Sequence, residues 1–328
     1  AASLVQTLGT GTTTLHDDVT TSAVAGVDLT TSGKIVLDGL TMVTGGTGIA
    51  RFNSATELTT DTVDIDAGGA VTFESTLTSP GAGSSQDLVI ASGSTVDFKA
   101  AVGAGNDNAL GAVTVTNTGV LTLANAADMV LEGAFLQNGT GTITTGASIW
   151  TSNDAISFAT EVSLTEAVRL DTDTGIGDIT FAANVKGAQV LTLKACEGRI
   201  EFQSTVGALE PLSGLVIECA AEVVFADTVE TGAAGIDITA GDVTVAKPIT
   251  TTDGGTVEID NSGELDIADG ADLNASGPVS FTGSGAVGTS ADITTAGETK
   301  IDLKPHCYRR YDYRLKFEFK SPGAGLKS

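Results

Sequence analysis

The chain has 328 residues, 41 of them Gly and only 6 Pro, with charged residues at 17% and aromatics at 5%. Forty-one acidic against 16 basic residues give a net charge of −25, a balance that repels phosphate and excludes general nucleic-acid binding. No run of 18 apolar residues offers a membrane-spanning helix, and a hydrophobic content of 41% is enough to build a core.

In chain order, a short strand pattern recurs: Val or Ile, any residue, Phe, three residues, then Val or Leu. It reads Val71-Thr-Phe73 with Leu77, Val96-Asp-Phe98 with Val102, and Ile156-Ser-Phe158 with Val162. It continues as Ile179-Thr-Phe181 with Val185, Ile200-Glu-Phe202 with Val206, and Val223-Val-Phe225 with Val229. The starts lie 25, 60, 23, 21 and 23 residues apart, and the long interval leaves room for two degraded copies, near Leu121-Thr-Leu123 and Phe135. Later echoes fall at Val243-Thr-Val245, Val257-Glu-Ile259 and Val279-Ser-Phe281.

A second alternating strand precedes most copies, as at Val63-Asp-Ile65, Leu88-Val-Ile90, Val168-Arg-Leu170, Leu191-Thr-Leu193 and Leu215-Val-Ile217. Six residues before each Phe stands a small residue (Ala67, Ser92, Ser152, Gly175, Cys196, Cys219), which suggests a tight inward corner. Gly, Asn and Asp fill the turns. Repeats of this length built from short alternating strands indicate an all-β fold, a right-handed parallel β-solenoid of about 20–25 residues per coil. An antiparallel sandwich also has short strands at close spacing, but the fixed corner and the scarcity of aromatics favour the solenoid. Residues 1–303 then form about 14 coils and a rod on the order of 65 Å long.

The chemistry changes at Lys304. Residues 304–328 hold seven basic residues and two acids, a charge of +5, which leaves 9 basic against 39 acidic residues, or −30, for residues 1–303. From Tyr311 the pattern alternates, with Tyr311, Tyr313, Leu315, Phe317 and Phe319 on one face and Arg309, Arg310, Arg314, Lys316 and Lys320 supplying charge. Such a strand either caps the last open coil or docks on an acidic neighbour as an assembly strand.

Catalytic signatures are sparse. His16 and His306 have no partner at metal-ligand spacing, and no nucleophile elbow or phosphate loop occurs. Asp171-Thr-Asp173-Thr-Gly175-Ile-Gly-Asp178 spaces oxygen ligands around a turn, which makes Asp171, Asp173 and Asp178 the best calcium candidates. A weaker glycine-rich candidate covers Gly103 to Leu110, and an Asx-rich turn is the ordinary reading of both. Cys196 and Cys219 share the corner position in successive coils, close enough for a disulfide, but in-register side chains point the same way and favour two buried, stacked thiols. Cys307 is left over in the tail. The pairs Thr10/Thr12, Thr12/Thr14, Thr114/Thr116 and Thr142/Thr144 lack the common register that an ice-binding face would need.

The strand Gly177-Asp-Ile-Thr-Phe181, the pairs Val102-Gly103 and Val206-Gly207, and the turn Ile249 to Gly255 resemble the filamentous-haemagglutinin-like and autotransporter-passenger-like β-solenoids of bacterial surfaces. The resemblance covers roughly residues 30–303 and implies an exported, extracellular or cell-surface protein, structural or adhesive, and the sparse catalytic signatures point to a protein that is not an enzyme. The basic terminal strand on an acidic open-ended rod points to copies of itself as partners in a filament or surface layer, and host or matrix glycans are the further partners expected of a surface protein. A polysaccharide-active β-helix enzyme is the alternative, and it needs a lateral cleft with clustered acids and sugar-stacking aromatics. The opening Ala1-Ala2-Ser3, without Met, fits a trimmed export signal or a fragment.

Overall fold

The computed structural model describes residues 1–296 except 61, 82, 84 and 104–106, together with 302–303 and 319–320. These residues form an all-β solenoid of about 13 coils, with parallel pairing between coils and no helix. Each coil has three faces. Face 1 begins at Leu4–Gln6, face 2 at Thr13–Leu15 and face 3 at Val19–Thr21, and each pairs in register with the next coil.

Alternation explains why these residues form strands. Val, Ile, Leu and Phe at every second position point inward and their neighbours point out, so each coil buries a narrow apolar ring. Stacking turns the rings into columns. One column on face 1 climbs from Leu4 through Val27, Ala50, Val71 and Val96 to Leu121 and Ile143. Nearly all its members above the first coil are fully buried, and burying each Val, Leu or Ile contributes roughly 1.5–3 kcal/mol before entropy is set against it.

The phenylalanines form two columns, on different faces. Phe52, Phe73 and Phe98 stack on face 1 with ring centroids 4.9 and 5.3 Å apart. Phe158, Phe181, Phe202 and Phe225 stack on face 3 at 5.3, 4.9 and 5.3 Å. The 60-residue interval is therefore not filled by two further copies in one register: Leu121 continues face 1, but Phe135 lies on face 3. Two coils bring face 1 to Ile143, and the remaining residues carry the chain past face 2 to Ile156 on face 3.

The small-residue position divides likewise. Ala67 and Ser92 are buried where face 3 turns into face 1. Ser152 is exposed, and Gly175, Cys196 and Cys219 are half-buried, all where face 2 turns into face 3. Only the first pair are inward corners.

Many threonines that look like surface residues in the sequence plug corners instead. The buried Thr44, Thr172 and Thr251 hydroxyls donate to the carbonyls of Gly48, Gly177 and Gly255 at 2.5, 2.7 and 2.5 Å. A buried carbonyl at a turn needs such a partner, and a short side chain on the preceding strand supplies it.

Outside, the few cations tie coil to coil. Arg51 and Lys99 approach Glu74 from the coils on either side at 2.6 and 3.0 Å, and Lys34–Glu57, Lys186–Glu161 and Arg199–Glu222 each span one coil. The ladder of face 2 extends to Asp302–Leu303, which pairs with the strand Val279–Phe281. Of the basic tail, the strand Phe319–Lys320 pairs in parallel with Thr295–Ala296 of the chain's own last coil. Arg309, Arg310, Tyr311, Tyr313, Arg314, Leu315 and Phe317 lie outside the described residues, as does Cys307.

Candidate functional site

The outward side of face 2 brings an indole, carboxylates and cations together on consecutive coils. Ile149, Leu170 and Leu193 point inward, so their successors Trp150, Asp171 and Lys194 point out and stand opposite one another on consecutive coils. Val130 precedes Trp150 in the same column. Rungs about 4.8 Å apart bring these side chains into contact.

Asp171 is the hub. One of its oxygens accepts from Arg169 Nη2 at 3.0 Å and Nε at 3.2 Å. The other lies 3.2 Å from Lys194 Nζ and accepts the Asp173 backbone N–H at 2.8 Å. Asp173, at φ 62°, turns its own carboxylate to within 3.7 Å of Lys194. Arg169 also reaches Glu218, two coils on, through two contacts of 2.5 and 2.6 Å. That fork holds the Glu218 carboxyl below the usual range and raises the Arg169 guanidinium further.

Glu218 faces out because the ladder slips there. Leu193 pairs with Ile217 but Lys194 pairs with Cys219, so Glu218 is an extra residue on the upper strand. The same slip corrects the expectation of stacked thiols. Cys219 is out of step with Cys196, the two half-buried residues approach diagonally at a Cα separation of 4.6 Å, and they form a disulfide. Side chains point the same way only in an in-register pair, and here Lys194, not Cys196, stands opposite Cys219.

Asp171, Asp173 and Asp178 do not converge on a common point. The first two meet Lys194, while Asp178 accepts the Arg199 backbone N–H at 2.7 Å on the next coil. Among the described residues no three His, Cys, Asp or Glu side chains gather as a metal site. The carboxylates that the sequence offers to calcium are matched here by side-chain cations and a backbone donor. Of the glycine-rich segment Gly103 to Leu110, residues 104–106 lie outside the described residues.

Beside this cluster opens a pocket of about 280 Å³. Ala109, Val130 and Leu131 form its apolar wall, Trp150 lies between, and Glu132, Ser152, Asp173 and Lys194 form the polar side. Trp150, Glu132 and Lys194 were not legible as a site from motifs. Their signal lay in the period, since Val130, Trp150, Asp171 and Lys194 each follow an inward apolar residue one coil apart.

A second polar cluster sits on face 2 near the first coils. His16 Nδ1 lies 2.8 Å from Asp38, whose other oxygen accepts from the Thr59 and Thr60 hydroxyls at 2.9 and 2.7 Å. Both hydroxyls donate to the carboxylate and neither to the imidazole, so the arrangement is not a relay that activates a nucleophile. Comparison with protein-family models, curated proteins and solved structures returns no match.

Proposed function

We propose that this chain is an exported structural or adhesive rod of the bacterial-surface type that joins copies of itself into a filament or surface layer. The observation that carries the proposal is the Cys196–Cys219 disulfide, which ties two successive coils of a three-faced parallel ladder. Disulfides form and persist in oxidising compartments outside the cytosol. A stack of similar coils also suits mechanical extension, because each coil depends only on its neighbours. Leu4, Leu15 and Val19 on the first described coil are only partly covered, and they offer an apolar end to a neighbouring copy. In this reading Arg309, Arg310 and Arg314 of the tail meet the carboxylates of that neighbour, and Tyr311, Tyr313, Leu315 and Phe317 supply the apolar side of the joining strand, while Phe319 stays paired with the chain's own last coil.

Electron microscopy of the full chain and of a chain lacking residues 304–328 tests this. Rods joined end to end are expected for the first and dispersed single rods for the second. A full chain that stays monomeric at high concentration, or a truncated chain that assembles equally well, removes the assembly proposal. Free thiols at Cys196 and Cys219 in material from the native source remove the export proposal.

The polysaccharide-active alternative draws on the pocket beside Trp150, where Glu132 and Asp173 lie near an aromatic ring. Release of reducing ends or of unsaturated sugars from polysaccharide incubated with the protein distinguishes it from the rod.

A further inference from the structure

We infer that the pocket beside Trp150 binds one neutral pyranose unit of a glycan. The inference deepens the adhesive half of the reading above and rests on it. A cavity of about 280 Å³ falls just below the roughly 300–1,000 Å³ that accommodate drug-sized ligands, so a small ring suits it better than a long chain of contacts. Trp150 is the only Trp in the chain, and it stands outward on a body otherwise almost bare of exposed aromatics. A pyranose has one face of C–H groups and a rim of hydroxyls. The electron-rich face of an indole attracts the first.

The polar side of the pocket fits the second. Glu132 is exposed, and neither its carboxylate nor the Ser152 hydroxyl has an intramolecular partner among the described residues. The Asp173 carboxylate pairs only with Lys194 among the described residues, at the long distance of 3.7 Å, and the side chain is 55% exposed. Glu132 and Asp173 accept hydrogen bonds, Lys194 donates them and Ser152 does both, which matches hydroxyl groups that also do both.

Charge selects within the class. Glu132, Asp171 and Asp173 against Lys194 leave the pocket at −2, which repels uronates, sialylated sugars and phosphates. A quaternary ammonium would favour Trp150 and the carboxylates too. However, Lys194 already supplies a cation to both Asp171 and Asp173. What remains unmatched is the Glu132 carboxylate, together with the hydrogen-bonding capacity of Ser152 and Asp173, and the choline titration below tells a cation from a sugar.

Because Trp150 is the only Trp, its fluorescence reports on this pocket alone. Dispersed full-length protein is titrated with the methyl glycosides of glucose, galactose, mannose and N-acetylglucosamine, and with glucuronate and choline at matched ionic strength. A saturable emission change with at least one neutral glycoside is expected, with half-saturation in the millimolar range and none from glucuronate or choline. Glu132→Gln should weaken binding about tenfold, as loss of a charged hydrogen bond does. Trp150→Ala should abolish binding in saturation-transfer NMR while the circular dichroism stays that of a β-solenoid. No response to any neutral glycoside overturns the inference, and so does an equal response to glucuronate or choline. The titration uses single rods, so its failure leaves assembly untouched, and a chain that never assembles can still bind sugar.

Discussion

Cys219 stands opposite Lys194 in the ladder, yet its disulfide runs two residues further along, to Cys196. The bond therefore ties two successive coils across a bulge, at the place where the face 2 strand turns into face 3. It closes a loop of 23 residues, for which chain entropy gives about 3 kcal/mol.

In a solenoid that stabilisation stays near the bond, since each coil feels only its neighbours. Replacing both cysteines by Ser should reduce hydrogen-exchange protection in Val190–Phe202 and Leu212–Phe225 and leave the first coils unchanged. Equal loss throughout the rod would show a global role instead.

Phe181 lies between Phe158 and Phe202, with centroids at 5.3 and 4.9 Å. Phe181→Ala should cost about 3–5 kcal/mol in denaturant unfolding of the central coils. Phe181→Leu keeps the apolar fill and loses mainly the ring contacts, so it should cost about 1 kcal/mol, within the range for aromatic pairs. Equal costs for the two variants would mean that stacking contributes nothing beyond burial.

The phenylalanines also mark the limit of what the sequence discloses. The repeat length and the inward direction of Phe73, Phe98, Phe158, Phe181, Phe202 and Phe225 are legible, because alternation and period are local properties. Which face a copy occupies is not. Phe98 and Phe158 end the same local pattern, but three faces of similar length and composition accept it, and only the sum of the intervening turns decides between them. The pairs Val102-Gly103 and Val206-Gly207 repeat the lesson. Both glycines have positive φ, 66° and 77°, yet Val102 bridges face 2 and Val206 bridges face 1. The disulfide was within reach of the spacing but depended on a one-residue bulge that no motif announces. Trp150 and Lys194 belong to one site only once the faces are assigned.

Gln137 lies fully buried directly below Phe158, where the face 3 column changes from aliphatic to aromatic. Its amide donates to the Asn117 side-chain oxygen at 2.8 Å and its carbonyl accepts the Ala159 N–H at 3.0 Å. Gln137→Leu should destabilise by about 1–3 kcal/mol, because Asn117 keeps a buried acceptor without its donor. Combining it with Asn117→Val removes that acceptor, so the double variant should be less destabilised than the two single costs predict. Additive costs in urea unfolding would mean that the two amides do not act as a unit.

Asp38 is held down to about 2 from an ordinary 3.8, first by the Thr60 hydroxyl, then by His16 and Thr59. A carboxyl lower in the folded than in the unfolded state adds stability above its unfolded value, and that stability is lost as pH falls through the folded value. For Asp38 the window runs from about 4 down to about 2. Glu74, held low by Lys99 and then Arg51, and Glu218, held low by Arg169, add losses of the same sign on the acid side. Protonation of the other carboxylates opposes them by relieving the self-repulsion of an acidic body, so a whole-chain melting curve mixes the two effects. A carboxyl titration by NMR separates them. Asp38 should titrate near 2, Thr60→Val should raise its midpoint most, and His16→Ala should raise it less. A midpoint close to 3.8 in the unmodified protein, or a larger shift from His16→Ala than from Thr60→Val, would contradict the geometry around Asp38.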